Sequence, residues 1–146
     1  MEIKICSPIT ADEFKEYFKL RFEVLRKPWN EPEGSEKDEL EESSFHVCAK
    51  YNHSIIGACR LQFLDEHKIR AQIRYMCTRI DFQGKGIGKQ MISFAEDFAK
   101  RNATTTIILH ARENAVNFYK SCGYTVIEPS YLLFDSIPHF LMQKNL

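Results

Sequence analysis

No apolar run in these 146 residues approaches the ~18 that a helix needs to cross a bilayer. The opening Met1-Glu2-Ile3-Lys4 lacks the basic-then-apolar pattern of a secretory leader, so a cytoplasmic protein is expected. Net charge is absent as well: 20 Lys and Arg stand against 20 Asp and Glu. No global field therefore recruits nucleic acid or an anionic membrane, and neither is expected as a partner. The 5 cysteines are odd in number and show no Cys-x-x-Cys spacing, which excludes a disulfide framework and a zinc ribbon and leaves reduced thiols. His46 and Cys48 share a strand face but have no third ligand in register, so no metal is expected. Repeats, linkers and low-complexity tracts are missing too, and a single domain over residues 1–146 is expected.

What is present is a glycine-rich turn. Ile73 to Thr78 reads as a strand, Arg79 to Gln83 as a short loop, and Gly84-Lys85-Gly86-Ile87-Gly88-Lys89 as a turn opening directly into a helix. Glycines let successive amides point into one concavity. The first helical turn adds unpaired amides and the positive end of its dipole, so a phosphate or pyrophosphate is the natural guest. A P-loop is excluded, because Gln83 and Gln90 stand where its first glycine and its Ser or Thr belong. The dinucleotide fingerprint is excluded because its third glycine would fall on Lys89 or Met91.

Gln83-Gly84-Lys85-Gly86-Ile87-Gly88 resembles the Gln/Arg-x-x-Gly-x-Gly/Ala acetyl-CoA signature of the GNAT superfamily of N-acetyltransferases. A second family element follows at a suitable distance. Ala115, Phe118-Tyr119 and Gly123-Tyr124 are similar to Asn-x-x-Ala-x-x-Leu/Phe-Tyr-x-x-x-Gly-Phe/Tyr, with Arg112 in the place of the Asn.

The rest of the chain is compatible with that family. Glu2 to Cys6 alternates as a strand, and Thr10 to Glu13 forms a capping box for a helix to about Arg26, with Ile9 and Phe14 placed as a hydrophobic staple. Phe14, Tyr17, Phe18, Phe22 and Leu25 give that helix an apolar face. Acids gather between Pro28 and Ser44, either as a solvated segment or as a flap whose negative field attracts a cationic amine, with Trp29 as its anchor. Phe45 to Tyr51, Ser54 to Phe63 and Arg70 to Thr78 read as an antiparallel meander, its first turn at Asn52-His53. A helix from Ile87 to near Asn102 then leads to Thr104–His110, an inner strand covered on both faces. Strand, helix, strand implies a right-handed parallel crossover. A short helix follows within Ala111 to Tyr124, capped by Gly123, and Thr125 to Glu128 and Pro138 to Lys144 close the sheet.

The resemblance implies an α/β (α+β) fold: a mixed, mostly antiparallel central sheet with a splayed parallel strand pair and flanking helices. It implies acetyl transfer from acetyl-CoA, the cosubstrate, to a primary amine on a small molecule or a protein. Met76, Cys77 and Thr78 would pair with the pantetheine arm through their backbone. Gln83, Gly84, Lys85, Gly86, Ile87, Gly88 and Lys89 would receive the pyrophosphate. Tyr119 matches the family's general acid, and a backbone amide near Cys77 would stabilise the oxyanion. His110 is the leading candidate base, ahead of His139, Glu113 and the acids of the flap. Cys77 invites an acyl-cysteine route, but no Cys-His-Asp order supports it. A GNAT fold that binds acyl-CoA as a sensor or scaffold is the alternative, and a homodimer through the C-terminal strands is a family-level expectation.

Overall fold

A computed structural model describes residues 2–146. Strand β1 (Lys4–Cys6) leads into helix α1 (Ala11–Leu25), where Thr10 Oγ1 accepts from the Glu13 amide at 3.1 Å and the Glu13 carboxylate accepts from the Thr10 amide at 3.0 Å. The capping box therefore forms as the sequence predicts. The staple does not, because Ile9 is 82% exposed.

Strands β2 (Phe45–Tyr51), β3 (Ser54–Phe63) and β4 (Arg70–Thr78) form the meander. Asn52 and His53 both take positive φ, at 48° and 68°, so the hairpin twists with its strands. Helix α2 (Ile87–Arg101) crosses to β5 (Thr106–Arg112), and helix α3 (Val116–Ser121) precedes the hairpin β6 (Thr125–Leu133) and β7 (Ile137–Asn145). The strand order is β1-β2-β3-β4-β5-β7-β6, with every pair antiparallel except β4/β5.

Two boundaries and one packing expectation differ from the sequence reading. Ala111 and Arg112 belong to β5, because they continue its ladder against Phe140 and His139. β6 runs past Glu128 to Leu133 through Pro129, which an edge strand with register shifts tolerates. And β5 is covered on one face only: Ile107, Leu109 and Ala111 enter a core beneath α2 with Met91, Ile92 and Ala95, whereas Ile108, His110 and Arg112 face the other way. A second core lies under α1 on the opposite face, built from Tyr17, Leu20, Leu25, Cys48, Ala58 and Cys77.

The acid-rich segment between α1 and β2 is divided: Glu33, Glu39 and Glu42 are exposed to solvent, whereas Asp38 and Glu41 turn inward onto arginines. Arg21, fully buried, donates to both carboxylate oxygens of Glu41 at 2.9 and 2.8 Å and to the Glu36 carbonyl. Arg60, also fully buried, donates to Asp38 at 2.6 and 3.0 Å and to Glu41 at 2.8 Å, while Arg74 reaches Asp38 at 3.0 Å. Burial raises the Glu41 carboxyl, but the hydrogen bonds and charge of Arg21, with the charge of Arg60, outweigh it and hold it below its ordinary 4.5. Such a depressed carboxylate stabilises the fold above its unfolded pKa, and that contribution is lost as pH falls through the lower folded value. Glu41→Ala strands the buried Arg21 guanidinium and takes one of the two acids on Arg60, and is expected to cost about 3–5 kcal/mol at neutral pH, read from urea melts. In acid below the carboxylate range, variant and native chain should converge.

Candidate active site

β4 and β5 pair only from Arg70 to Gln72 against Thr106 to Ile108. Beyond that point they diverge, and a cleft of about 680 Å³ opens between them. Its lining includes Met76, Cys77 and Thr78 from β4, Gly84 and Gly86 from the turn, Gly88 and Lys89 from the start of α2, His110 and Arg112 from β5, and Tyr119 from α3. The splay thus brings together elements that the sequence keeps far apart.

The glycine turn has the properties of an anion cradle. Gly84 and Gly86 hold φ at 76° and 79°, and a Cβ on either would meet no atom within 4 Å. α2 begins without a side-chain cap, so the amides of its first turn are left for a ligand. Gly88 has a different reason to be glycine: a Cβ there would come within 2.9 Å of the Phe118 ring, where α2 and α3 touch. Gln83 lines the cleft, and its side-chain amide donates to the Thr78 carbonyl at 3.0 Å, bracing the turn against the end of β4. Ile87 is buried and also borders the cleft, whereas Lys85 does not line it.

β4 carries a feature that the sequence did not announce. Cα partners jump from Arg60↔Arg74 to Ala58↔Cys77, so β4 bulges over Tyr75 and Met76, and Tyr75 takes φ 55°. A left-handed non-glycine residue costs roughly 1–2 kcal/mol, and such outliers gather where backbone groups must be re-aimed. The Cys77 thiol points into the α1 core, and burial pushes it up to about 12. A thiol so protonated is a poor nucleophile.

Tyr119 is buried, its ring edge-on to Phe118 at 5.0 Å and to Tyr124 at 6.1 Å. Burial raises its hydroxyl well above 10.0, so it stays protonated and able to donate. His110 has a buried Nδ1 with no partner among the described residues. Burial, and then the charge of Arg74, hold it below 6.5 and keep it neutral. His139 lies opposite Arg112 across the β5/β7 ladder, and with its Nδ1 donating to the Ile137 carbonyl at 2.9 Å, Nε2 is left as its basic nitrogen. Burial lowers it too, and its ring stacks on Tyr131 at 4.6 Å. Glu113 is exposed in the turn after β5 and does not line the cleft.

Sequence reasoning missed Arg26, Arg74 and Tyr131 as cleft residues and noticed Arg112 only as a departure from a pattern. No spacing in the chain could have grouped them, because α1, β4, β5 and β6 meet only in the folded state. The expected acids are not here at all: no Asp or Glu is among the residues lining the cleft.

The family model for the acetyltransferase (GNAT) family matches residues 11–124. The chain belongs to that family. It is 31% identical over 134 residues to the N-acetyltransferase YjcF of Bacillus subtilis (strain 168), itself uncharacterized, covering 92% of this chain and 94% of YjcF. The fold matches an acyl-CoA N-acyltransferase from Pseudomonas aeruginosa (TM-score 0.81, 24% identity, 98% of each chain). It also matches a GNAT family acetyltransferase from Elizabethkingia anophelis with acetyl-CoA bound (TM-score 0.73, 18% identity, 99% of this chain and 98% of that one). Membership makes this GNAT chain an N-acetyltransferase that draws on acetyl-CoA. Its sheet has the mixed, mostly antiparallel form expected, and no helix among the described residues is long and apolar enough to cross a membrane.

Proposed function

We propose that this GNAT chain acetylates a primary amine by direct attack on the thioester, with Tyr119 as general acid and His110 as general base. The observation that carries the reading is the single cleft that runs from the glycine turn past the β4 bulge to Tyr119 and His110. Acetyl-CoA supplies an activated acyl carbon and a thiolate leaving group. The amides of Gly84 to Lys89 hold its pyrophosphate with the charge of Lys89, and the backbone of Met76 to Thr78 orients the arm. A main-chain amide of the β4 bulge meets the charge that gathers on the carbonyl oxygen. His110 takes the amine proton as the N–C bond forms, and Tyr119 gives its proton to the sulfur as the C–S bond breaks. The protonated, core-facing Cys77 thiol favours direct transfer over an acyl-cysteine.

An imidazole base predicts a pH signature. His110 sits below 6.5, so kcat/KM, corrected for the neutral fraction of the amine, should fall as pH drops through that lower value and stay flat above it. His110→Asn should flatten the limb and lower the plateau. If the limb persists in His110→Asn and vanishes in His139→Asn, the base is His139. β6 is an edge strand exposing Val126, Ile127, Tyr131 and Leu132, and a homodimer built on it would elute at twice the mass of the chain in size-exclusion chromatography.

A further inference from the structure

The acceptor half of the cleft carries charge of one sign. Arg112 leaves β5 on the α1 face, and among the described residues its side chain has one hydrogen bond, to the Leu25 carbonyl at 3.4 Å. Arg26, at the end of α1, donates to the carbonyls of Ser35 at 2.9 Å and Leu25 at 3.1 Å. Neither guanidinium meets a carboxylate among the described residues, although Arg21, Arg60 and Arg74 nearby all do. Burial and then the charge of Arg26 pull the Arg112 pKa down, the signature of a cation held partly out of water beside another. Two partly desolvated arginines without an acid are costly unless something anionic completes them.

The cosubstrate's pyrophosphate is not that anion. Its cradle starts α2, which packs on one face of the sheet, whereas Arg112 and Arg26 lie on the α1 face with His110 and His139. They line the same cleft as His110, the proposed base. The anion they await is therefore part of the acceptor.

We infer that the acceptor amine also bears a carboxylate, which Arg112 and Arg26 receive as a fork, so that the enzyme works on amino acids or similar aminocarboxylates. The guanidinium fork matches a planar carboxylate in two parallel bonds, and Tyr131, stacked on His139 at 4.6 Å and 5.2 Å from His110, walls the same half of the cleft. This is the reverse of a site for a polycationic amine. It rests on the acetyl-transfer reading above.

The test is acetylation of paired acceptors: glycine, β-alanine, γ-aminobutyrate and L-glutamate, each against its carboxamide, with spermidine and phosphoethanolamine alongside. The expected result is a preference for carboxylate over carboxamide of about tenfold or more in kcat/KM, the worth of one charge-assisted bond. In Arg112→Met that ratio should collapse toward one, with Arg112→Lys restoring part of it and the KM for acetyl-CoA unmoved. Thermal melts establish that each variant folds. Equal rates on acid and amide, preference for spermidine or phosphoethanolamine, or no turnover of any aminocarboxylate would overturn the inference. So would a rise in the KM for acetyl-CoA in Arg112→Met, which would put Arg112 on the cosubstrate in the family Asn's place. Loss of acetyl-CoA binding by the native protein is a separate outcome and would sink the transfer reading itself.

Discussion

Tyr119→Phe lowers kcat by about 10²–10⁴-fold, the range for removing a positioned proton donor, while the KM for acetyl-CoA stays near its native value. The asymmetry follows from what the substitution deletes. Tyr119 is 7% exposed and its ring packs on Phe118 and Tyr124, and a phenylalanine keeps both contacts. Only the hydroxyl goes, and burial has made that hydroxyl a donor by holding its pKa well above 10.0. Without it the thiolate must leave with its charge unquenched in a partly dry cleft. The measurement is steady-state kinetics with thermal melts on both proteins. A kcat that does not move leaves Tyr119 as a packing residue and assigns the proton to another donor or to water.

Gly86→Glu removes acetyl-CoA binding. Position 86 has φ 79° and lines the cleft, and a Cβ placed there meets only open space, where the proposed pyrophosphate would be its neighbour. Two unit charges about 4 Å apart repel by roughly 4 kcal/mol at an effective dielectric of about 20, which is close to three powers of ten in affinity. Backbone strain adds a separate cost of roughly 1–2 kcal/mol in stability. Gly86→Ala carries the strain without the charge, so it should lose stability while keeping most of its affinity. Calorimetric titration of the three proteins with acetyl-CoA separates the two effects. Binding by Gly86→Glu as tight as that of the native chain would move the pyrophosphate away from this turn.

The parts of the molecule that were legible in advance are those specified by neighbours in the chain. Thr10 to Glu13 is a complete local instruction for a helix start, Asn52-His53 for a tight hairpin, and Gly84 to Gly88 for a positive-φ turn opening into a helix. Each works through residues fewer than about six positions apart, the reach of caps and turns. The inward pairing of Asp38 and Glu41 went unread because their partners Arg21, Arg60 and Arg74 sit on three other elements, and no local pattern records it. The bulge at Tyr75 was invisible for a related reason. A left-handed aromatic residue has no sequence signal, and the register jump that forces it belongs to the β3/β4 ladder.

Site legibility divides along the same line. The proposed cosubstrate half comes from one continuous stretch plus Tyr119, so the motif and its spacing point to it in the sequence. The proposed acceptor half is assembled by the splay of β4 from β5, which drops Arg26, Arg74, Arg112, Tyr131 and His139 into one cavity from five elements or their ends. A charge count of zero for the whole chain conceals that local concentration of arginine.

In the proposed mechanism this cleft passes an acetyl group straight from acetyl-CoA to an amine. Initial rates measured with both substrates varied, using the best aminocarboxylate acceptor, decide the point. Direct transfer gives double-reciprocal lines that intersect, because both substrates must occupy the cleft together. Parallel lines, the mark of an acetylated enzyme, or no coenzyme A release at any acceptor concentration would contradict it.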